Sequence, residues 1–459
     1  MMSETQRLCG LLEAKRGMSI AEIVGEEIRL HRSSPQRQMQ LEGERYYCNR
    51  SAVQNKKNDY PSRSNTKIEH SVLRKLVDQK VNYLLSKPFT VAAKSAAYAK
   101  AVDDVLDEGA RAAIRTMGKE AVKKGVGWVQ LYPDEKGRLR LKHLHTEQII
   151  PEWADEEHTK LDCVIRYYPQ IVYEGREKVV LTRAELWSAN GVERFVQREN
   201  GPFVPDVELG ERDAHLKVGE KPWNWEAPPF LWVKYCEEEL PLLHFVKELI
   251  DDYNWQTSLS ANCIFVLRNY GGENLEQFLK ELRQSLAIQV ETDGGVETIA
   301  PQLDMTAVGA LLDRHRRDLY DLARSVDTQD PDLGNASGQA LKFRYADLDM
   351  DCNDLEAEFR AMFGRMKPFL DAWFRFKGLG SFESENFTVT FNRDIIVNET
   401  EAIQNVRNSV GLISEKTLVQ NHPWVEDAER EIEQLRKDEE AAPEGYAFGH
   451  ARQDEGEPA

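Results

Sequence analysis

The sequence lacks the residue patterns that mark most catalytic and metal-binding proteins. Its 459 residues include six cysteines, and these are scattered without the close spacing of a zinc site or a redox pair, as is typical of reduced thiols in a cytosolic protein. A phosphate-binding loop is also missing, because Gly118-Lys119 is followed by Glu120 and no glycine lies five residues upstream. The nucleotide and hydrolase motifs G-x-G-x-x-G and G-x-S-x-G are absent as well. These absences exclude the enzyme classes that depend on such motifs.

Long apolar runs and an excess of positive charge are missing too. No stretch approaches the roughly 18 to 20 apolar residues of a membrane span, and the N-terminus has no basic-then-apolar signal pattern. We therefore expect no contact with a membrane. The formal net charge is −18 at pH 7, which disfavours tight binding to nucleic-acid phosphates because such binding needs clustered Lys and Arg. This charge is compatible with a surface along which DNA slides without being held.

Two long helical patterns, separated by one break, dominate the chain between Met305 and Trp373. Apolar side chains recur every three or four residues, which is the spacing of one face of a helix. The first stripe comprises Met305, Val308, Leu312, His315, Leu319, Leu322 and Val326, and the second comprises Leu341, Tyr345, Leu348, Cys352, Leu355, Phe359, Met362, Met366, Phe369 and Trp373. Pro331, Gly334 and Gly338 interrupt the helix between them. The stripes indicate packing on neighbouring subunits or, equally well, a helical hairpin inside an ordinary domain.

The remaining patterns predict an α+β protein that is mainly helical. Residues 1–39 are polar and read as a loosely held N-terminal arm containing a helix at 20–31. Helical patterns follow at 68–85 and 96–124. From 126 to about 204 the period changes toward two, which predicts one antiparallel meander that begins with a hairpin at 127–144, around a turn at 133–137, and includes a turn at Asn190-Gly191. A strand at 228–234 precedes a helix at 240–265, a short helix at 275–286 and a hairpin around Asp293, Gly294 and Gly295. A strand at 387–391, helices in 398–435 and a disordered acidic tail at 436–459 complete the chain.

Two clusters could carry chemistry. His143 and His145 would share one face of a strand and could hold a metal, but no third ligand is nearby in the sequence, so a structural role is the preferred interpretation. Asp347, Asp351 and Asp354 lie on one face of a predicted helix, as the ligands of a divalent-metal nuclease could. Ion pairing of these carboxylates is the commoner role, and the arginines of the preceding helix are candidate partners. We therefore predict no catalytic residue, no metal ligand and no cofactor.

The order of these parts resembles the portal protein family of tailed bacteriophages, in its siphophage-type branch, over about residues 40–435. Short segments carry the resemblance by their order; they are 82–89, with Ser86 where glycine is usual in the family, 229–233 before 249–254, 335–341 at the start of a long helix, and 391–394 before 398–402. None of these segments encodes a reaction. An alternative is a metal-dependent nucleic-acid enzyme using the Asp347–Asp354 carboxylates, and another is a structural adaptor that is not a portal.

The resemblance implies a ring, usually dodecameric, at one vertex of the capsid, through which double-stranded DNA is packaged and ejected. It divides the chain into wing (40–235 and 386–397), stem (240–265 and 305–326), clip (266–304), tunnel loop (327–338), a long kinked helix (339–377) with Pro368 at the kink, and crown (398–435). Expected partners are the terminase large subunit, head-completion or adaptor proteins, and the major capsid and scaffolding proteins. The protein would be assembled in the host cytoplasm and reside at the portal vertex of the virion.

Two sets of site residues follow from the resemblance and the charge pattern. The tunnel loop would present Asp327, Thr328, Gln329, Asp330, Asp332, Asn335 and Ser337 to the channel, with Lys342 and Arg344 as the nearest cations to the DNA phosphates. The second set, Arg314, Arg317 and Arg324 with Asp347, Asp351 and Asp354, would form contacts to a neighbouring helix or subunit. Without the resemblance, Lys342 and Arg344 read as solvated surface residues.

Overall fold

A computed structural model describes residues 17–57, 66–218, 221–258, 264–270, 290–299, 305–330, 338–393, 399–425 and 428–441. The chain divides into two compact units. The larger unit, called the body, comprises the described residues of Met1–Asp327 and Asp347–Asp394, and the second unit comprises those of Thr328–Ala346 and Ile395–Ala459. The predicted short helix at 275–286 lies outside the described residues.

The helices of the described residues are, in chain order, α1 (Ile20–Ser33), α2 (Pro35–Tyr47), α3 (Val72–Leu85), α4 (Ala96–Val105), α5 (Glu108–Lys124), α6 (Leu242–Thr257), α7 (Met305–Leu322), α8 (Gly338–Lys377), α9 (Glu399–Asn408), α10 (Glu415–Gln420) and α11 (Ala428–Ala441), with short 3₁₀ turns at Ala52–Asn55 and Thr146–Gln148. No helix in the described part of the chain has the length and apolarity to cross a membrane.

The strands are β1 (Thr90–Ala93), β2 (Val126–Pro133), β3 (Leu139–Leu144), β4 (Ile149–Trp153), β5 (Leu161–Glu174), β6 (Glu177–Ser188), β7 (Gly191–Arg198), β8 (Val204–Pro205), β9 (Arg212–Asp213), β10 (Leu216–Val218), β11 (Lys221–Trp223), β12 (Phe230–Lys234), β13 (Ile264–Tyr270), β14 (Val290–Ile299) and β15 (Phe387–Thr390). Together the helices and strands confirm the α+β class.

The predicted single meander is wrong, because the strands between Val126 and Lys234 form separate sheets. One sheet has the order β12-β2-β3, and a larger one has the order β4-β5-β6-β7-β8 with β9 paired to β7. The β2–β3 hairpin and the tight connection from Ser188 to Gly191 are as predicted. The sequence did not reveal two sheets, because β12 pairs with β2 from about a hundred residues away. No local residue pattern indicates such a pairing.

The N-terminal segment is more firmly held than its polarity suggested. Ser19 and Glu22 form a reciprocal capping box at the start of α1. Ile23, Val24 and Ile28 of α1 are buried, and the last two pack with Ile165 of the larger sheet. The described residues 17–39 are therefore not a loose arm.

The core of the body is built around α8 from Leu348 onward. The predicted stripe is confirmed, since all its members from Leu348 to Trp373 are buried, among them Phe359 at 0% exposure. Helices α3 and α5 supply the facing side chains of the same core. Gly118 of α5 lies where an added Cβ would stand 3.2 Å from the ring of Phe359 and 3.3 Å from Leu85, so a larger residue there would need both side chains to shift slightly in a close-packed core. The helix continues through Pro368, and a kink at that residue stays a prediction.

The region between α6 and α7 differs from its prediction in two ways. Helix α6 ends at Thr257, eight residues before the predicted end at Phe265, and Phe265 instead lies in β13. The predicted hairpin at Asp293–Gly295 is wrong, because the residues on both sides pair with β13, Val290 with Tyr270 and Gly295 with Arg268, and not with each other. The register shifts between these two pairs and Asp293 has a positive φ of 72°, so the two adjacent glycines lie at a bulge of β14 and not in a turn.

The described residues of the second unit are mainly helical and leave their side chains exposed or half-buried. Helices α9, α10 and α11 occupy most of the predicted crown region. Helix α11 continues to Ala441, so residues 436–441 are helical and not disordered as predicted, and the rest of the predicted tail lies outside the described residues. Val410, Leu412 and Trp424 are exposed. Among the residues described in this unit, none is buried.

Candidate functional site

The chain leaves α7 by a turn that is held to the body. Arg324, two residues after the end of the helix, has a positive φ of 47°. The Gln79 side chain of α3 then contacts both backbone groups of Val326, accepting from its N–H at 3.0 Å and donating to its carbonyl at 2.9 Å. These contacts fix the position from which the predicted tunnel loop departs.

Asp327, the first residue of that loop, is engaged by cations of the body. Arg316 of α7 donates two hydrogen bonds to its carboxylate, at 2.6 and 2.8 Å, and the Lys75 ammonium lies 3.9 Å away. A bidentate arginine is the strongest common partner of a carboxylate. The structure therefore places Asp327 at the anchored end of the loop.

The rest of the predicted loop is only partly described. Thr328 and Gln329 are exposed, and Asp330 accepts a hydrogen bond of 2.6 Å from Arg344. Lys342 is exposed on α8. Asp332, Asn335 and Ser337 lie outside the described residues. Asp330 and Arg344 are far apart in sequence yet paired, so the charge of Arg344 is balanced by an acid of the loop itself.

An aromatic side chain that the sequence reasoning missed lies between the two predicted cations. Phe343 is 81% exposed and flanked in sequence by Lys342 and Arg344. Since successive helical residues are about 100° apart, the three side chains spread over more than half of the helix circumference. The sequence contains an indication of this exposure. Phe343 does not lie on the apolar face of the helix that Leu341 and Tyr345 mark, so its large apolar side chain was not expected to be buried in the core.

Asp351 lies at the centre of a buried ion-pair network in the body. The Lys80 side chain is fully buried, and its Nζ lies 2.6 Å from Asp351 Oδ2 and 3.1 Å from the carbonyl of Arg324. Burial lowers the pKa of Lys80, and the Asp351 charge opposes this shift. Tyr235 Oη lies 3.3 Å from the same carboxylate, and the Arg324 guanidinium lies 3.9 Å from it. Asp351 thus joins α3, α8 and the turn after α7.

The other carboxylates of this helix have different surroundings. Asp349 accepts a hydrogen bond of 2.7 Å from Tyr83 and lies 3.2 Å from Arg393, while Asp347 and Asp354 are exposed. A shared metal site would require the carboxylate oxygens to converge on one point. In the described chain they are instead bound by separate cations or face solvent, so the geometry gives the nuclease alternative no support.

The three arginines that were predicted to form subunit contacts also have different surroundings. Arg314 pairs with Asp318 one turn further along α7, with a distance of 2.9 Å. Arg317 is exposed, and Arg324 reaches Asp351 as described above. Exposed pairs of the Arg314 type contribute only about 0 to 1 kcal/mol each.

Arg324, Asp351 and Asp354 nevertheless share one groove of the body. It has a volume of about 750 Å³ and is lined by Glu157, Lys234, Tyr235, Glu237, Glu238, Phe245, Leu322, Arg324, Asp351, Asp354, Glu358 and Arg365, among others. Its acidic residues outnumber its basic ones. Phe245 of α6 and Leu322 of α7 expose 47% and 57% of their surface beside it. The groove therefore combines negative charge with uncovered apolar side chains.

The histidine pair gains a partner that the sequence did not reveal. His143 lies on β3 and His145 just beyond it, and Glu120 of α5 lies close enough that potential ligand atoms of all three residues are within 4.8 Å of one another. In the sequence, Glu120 was noted only because it follows Gly118-Lys119 and so excludes a phosphate-binding loop. No sequence spacing could have identified it as a third ligand, since α5 and β3 meet only through packing.

Comparison with known proteins assigns the chain to a family. Residues 29–445 match the family described as phage portal protein, SPP1 Gp6-like. The chain belongs to the phage portal protein family. This confirms the resemblance seen in the sequence.

Two portal relatives show the extent of the similarity. The portal protein of Bacillus phage SPP1 is 28% identical over 421 residues, which cover 87% of this chain and 83% of the relative. The portal protein of Clostridium phage phiCD119 is 27% identical over 434 residues, which cover 88% and 93%. Among solved structures, a chain of the neck of a native GTA particle computed with C12 symmetry is similar, with 11% identity, a TM-score of 0.40, and coverage of 76% of this chain and 88% of that chain.

Proposed function

We propose that this portal-family chain forms the ring-shaped channel at one vertex of the capsid, through which double-stranded DNA is packaged and later ejected. The observation that carries the proposal is the family match over residues 29–445. The ring would usually be a dodecamer, and the chain would act as a structural component without an enzymatic reaction of its own. It would be assembled in the host cytoplasm and remain at the portal vertex of the virion.

We assign the regions of the ring with bounds adjusted to the observed elements. The wing comprises residues 40–235 and 386–397, the stem comprises α6 and α7, the clip contains β13 and β14, and the crown contains α9 to α11. The two strands of the clip pair with each other, and in the described chain neither joins another sheet. This separation supports a role for the clip as an independent docking element for the terminase large subunit and for head-completion or adaptor proteins. Scaffolding and major capsid proteins would surround the wing.

Subunit contacts are the first feature that supports a ring. The groove beside α6 and α7 leaves Phe245 and Leu322 uncovered, and exposed large apolar side chains next to one another are typical of interaction surfaces. The acidic lining of the groove would accept cations from a neighbouring subunit, for which the exposed Arg317 is a candidate. Closed cyclic symmetry would give every copy the same contact.

Weak contact with the DNA backbone is the second feature. A chain with a net charge of −18 would repel phosphates in general, whereas Lys342 and Arg344 supply two cations per subunit beside the exposed Phe343. Asp330 balances Arg344 at 2.6 Å, which would shorten the residence of any phosphate there. Few, exchangeable, sequence-independent contacts suit translocation, because each phosphate contact adds affinity and slows release.

Replacement of the two cations tests the DNA path. The variant Lys342→Ala with Arg344→Ala should assemble into rings as the unmodified protein does, since both residues are exposed, but should package less DNA per particle. A matched control is Arg436→Ala with Lys437→Ala on α11, which removes two exposed cations elsewhere in the second unit. Packaged DNA is measured by nuclease protection, and ring assembly by electron microscopy. Normal packaging in the Lys342 and Arg344 variant would remove these residues from the DNA path.

Direct imaging of the purified protein tests the ring itself. Mass photometry should give a species many times the 52.7 kDa chain mass, and negative-stain images should show a central hole. A monomer or dimer at every salt concentration, with no hole in any particle, would instead favour the structural adaptor that is not a portal.

A further inference from the structure

The structure brings together two histidines and one buried glutamate that no sequence motif connects. Glu120 lies on α5, which packs on the sheet containing β3, and His143 and His145 are two residues apart at the end of β3. Successive side chains of a strand alternate between its faces, so residues two apart point to the same side. Their rings meet edge to face, with centroids 5.3 Å apart, and all three residues can direct a ligand atom to a point within 4.8 Å of the others.

One buried atom in this cluster, His143 Nε2, lacks a hydrogen-bond partner among the described residues. A native structure rarely leaves a buried polar atom without a partner unless it has a use. An imidazole nitrogen that carries no proton has a lone pair for a metal ion.

The nearby lysines are the main argument against a cation at this place. The ammonium groups of Lys123 and Lys124 each lie 2.7 Å from an oxygen of Glu120. However, Lys123 also contacts Glu44 at 2.6 Å, and Lys124 contacts Glu44 at 3.0 Å and Glu147 at 2.7 Å. Three carboxylates therefore surround two ammonium groups, which leaves one net negative charge beside the two imidazoles. Each carboxylate oxygen has two lone pairs, so Glu120 can contact a lysine and a metal ion together.

We propose that Glu120, His143 and His145 bind one divalent transition-metal ion, with Zn²⁺ as the ion that best fits two imidazoles and one carboxylate. His145 is exposed, so an ion can enter from solvent, and water completes its coordination. The ion joins α5 to the end of β3, directly before the Thr146–Gln148 turn that leads to the larger sheet. Its role is to stabilise this junction of the body, and the site is independent of the proposed channel function.

Metal titration of the full-length chain tests the site after removal of bound metal with a chelator and dialysis. The unmodified protein should bind one Zn²⁺ per chain at this site, measured by calorimetry, and Zn²⁺ should raise its melting temperature. Co²⁺ should give the visible absorption of a site with nitrogen and oxygen ligands.

The variant His145→Ala removes an exposed ligand and should leave the fold intact, while lowering Zn²⁺ affinity about tenfold or more. The matched control is His244→Ala, which removes an exposed histidine of α6 and should bind as the unmodified protein does. Both proteins keep all cysteines, so any binding by thiols is common to them. The proposal is wrong if the unmodified protein binds no Zn²⁺ at micromolar concentration, or if His145→Ala and His244→Ala bind it equally.

Discussion

The body and the second unit use apolar residues in opposite ways. In the body, the apolar stripe of α8 from Leu348 to Trp373 is covered by α3, α5 and other elements of the same chain. In the second unit, Phe343 and Leu412 are each 81% exposed, and Trp424 is 71% exposed. The body therefore has a core built from its own residues, whereas the described residues of the second unit leave large apolar side chains available for contact with other molecules.

Helix α8 contains this difference within one element. Its apolar stripe begins at Leu341, but Leu341 and Tyr345 are only half-buried, and full burial begins at Leu348. The division of the chain into units falls between Ala346 and Asp347. A regular apolar period thus identifies which face of a helix will be covered, and leaves open whether the same chain or another molecule covers it.

The largest expected effect comes from two phenylalanines on this helix. Phe359→Ala should lower the free energy of unfolding of the body by about 3 to 5 kcal/mol, because it leaves a cavity in close-packed surroundings. Phe343→Ala, the matched control, removes the same side chain from an exposed position and should change it by less than about 0.5 kcal/mol. Denaturant unfolding followed by circular dichroism measures both. Equal effects would show that the contrast between the two parts of α8 is wrong.

Structural features that follow from the spacing of neighbouring residues could be predicted from the sequence. The α8 stripe was predicted because its 3.6-residue period extends over many turns, and the β2–β3 hairpin because Pro133 and Gly137 bracket a turn between alternating residues. The exposed Phe343 could have been noticed as an aromatic residue outside its stripe. The portal resemblance was recognised from the order of short segments, and the family match confirms it.

Signals that depend on contacts between distant segments were not predictable. Lys80 and Asp351 are 271 residues apart, and nothing near Lys80 marks it as a residue that will be buried. Asp351 was predicted to pair with arginines of the preceding helix, and Lys80, its closest cation at 2.6 Å, could not be named because the charge it brings into the core is distant in sequence. Glu120 was missed as a neighbour of His143 for the same reason. The segment of β14 was predicted to form a hairpin because its partner β13 lies outside the local window.

The buried pair in the body should be nearly as sensitive as the core. Lys80→Ala leaves the Asp351 carboxylate without its closest cation, and breaking a buried pair costs about 3 to 5 kcal/mol. The exposed pair Arg314–Asp318 provides the control, since Arg314→Ala should cost at most about 1 kcal/mol. The double variant Lys80→Met with Asp351→Leu should recover part of the loss. No recovery in that variant would show that packing, and not charge, determines the effect.

Acid should weaken the closed body through a buried histidine. Burial lowers the pKa of His215 from 6.5 to about 4, and its Nδ1 accepts a hydrogen bond from the Trp225 backbone at 3.1 Å. The imidazole of His215 is therefore protonated below about pH 6.5 in the unfolded chain but only below about pH 4 in the folded chain. Stability is fully present above pH 6.5 and falls as the pH decreases through this window, by up to about 3 kcal/mol for one such group.

The variant His215→Asn isolates this contribution, because an amide oxygen can replace Nδ1 as acceptor and does not titrate. The variant should lose less stability than the unmodified protein between pH 7 and pH 4, as measured by urea unfolding at several pH values. His31 has a pKa lowered to about 4 by burial as well, so part of the acid sensitivity should remain. Parallel pH curves for both proteins would contradict the assignment to His215.

The smallest effect on stability is expected from exposed apolar residues of the second unit. Leu412→Ser with Trp424→Ser removes two exposed apolar side chains of that unit and should change the melting of the body very little, since exposed substitutions are usually within about 0.5 kcal/mol. If neighbouring subunits of the proposed ring cover these residues, the same variant should lower the fraction of assembled rings in mass photometry. Tyr173→Ser serves as the control because it removes an exposed aromatic residue, at 73% exposure, from the body. Unchanged assembly in the double variant would show that these two apolar side chains have no role between subunits, and a large loss of body stability would contradict the expected small effect.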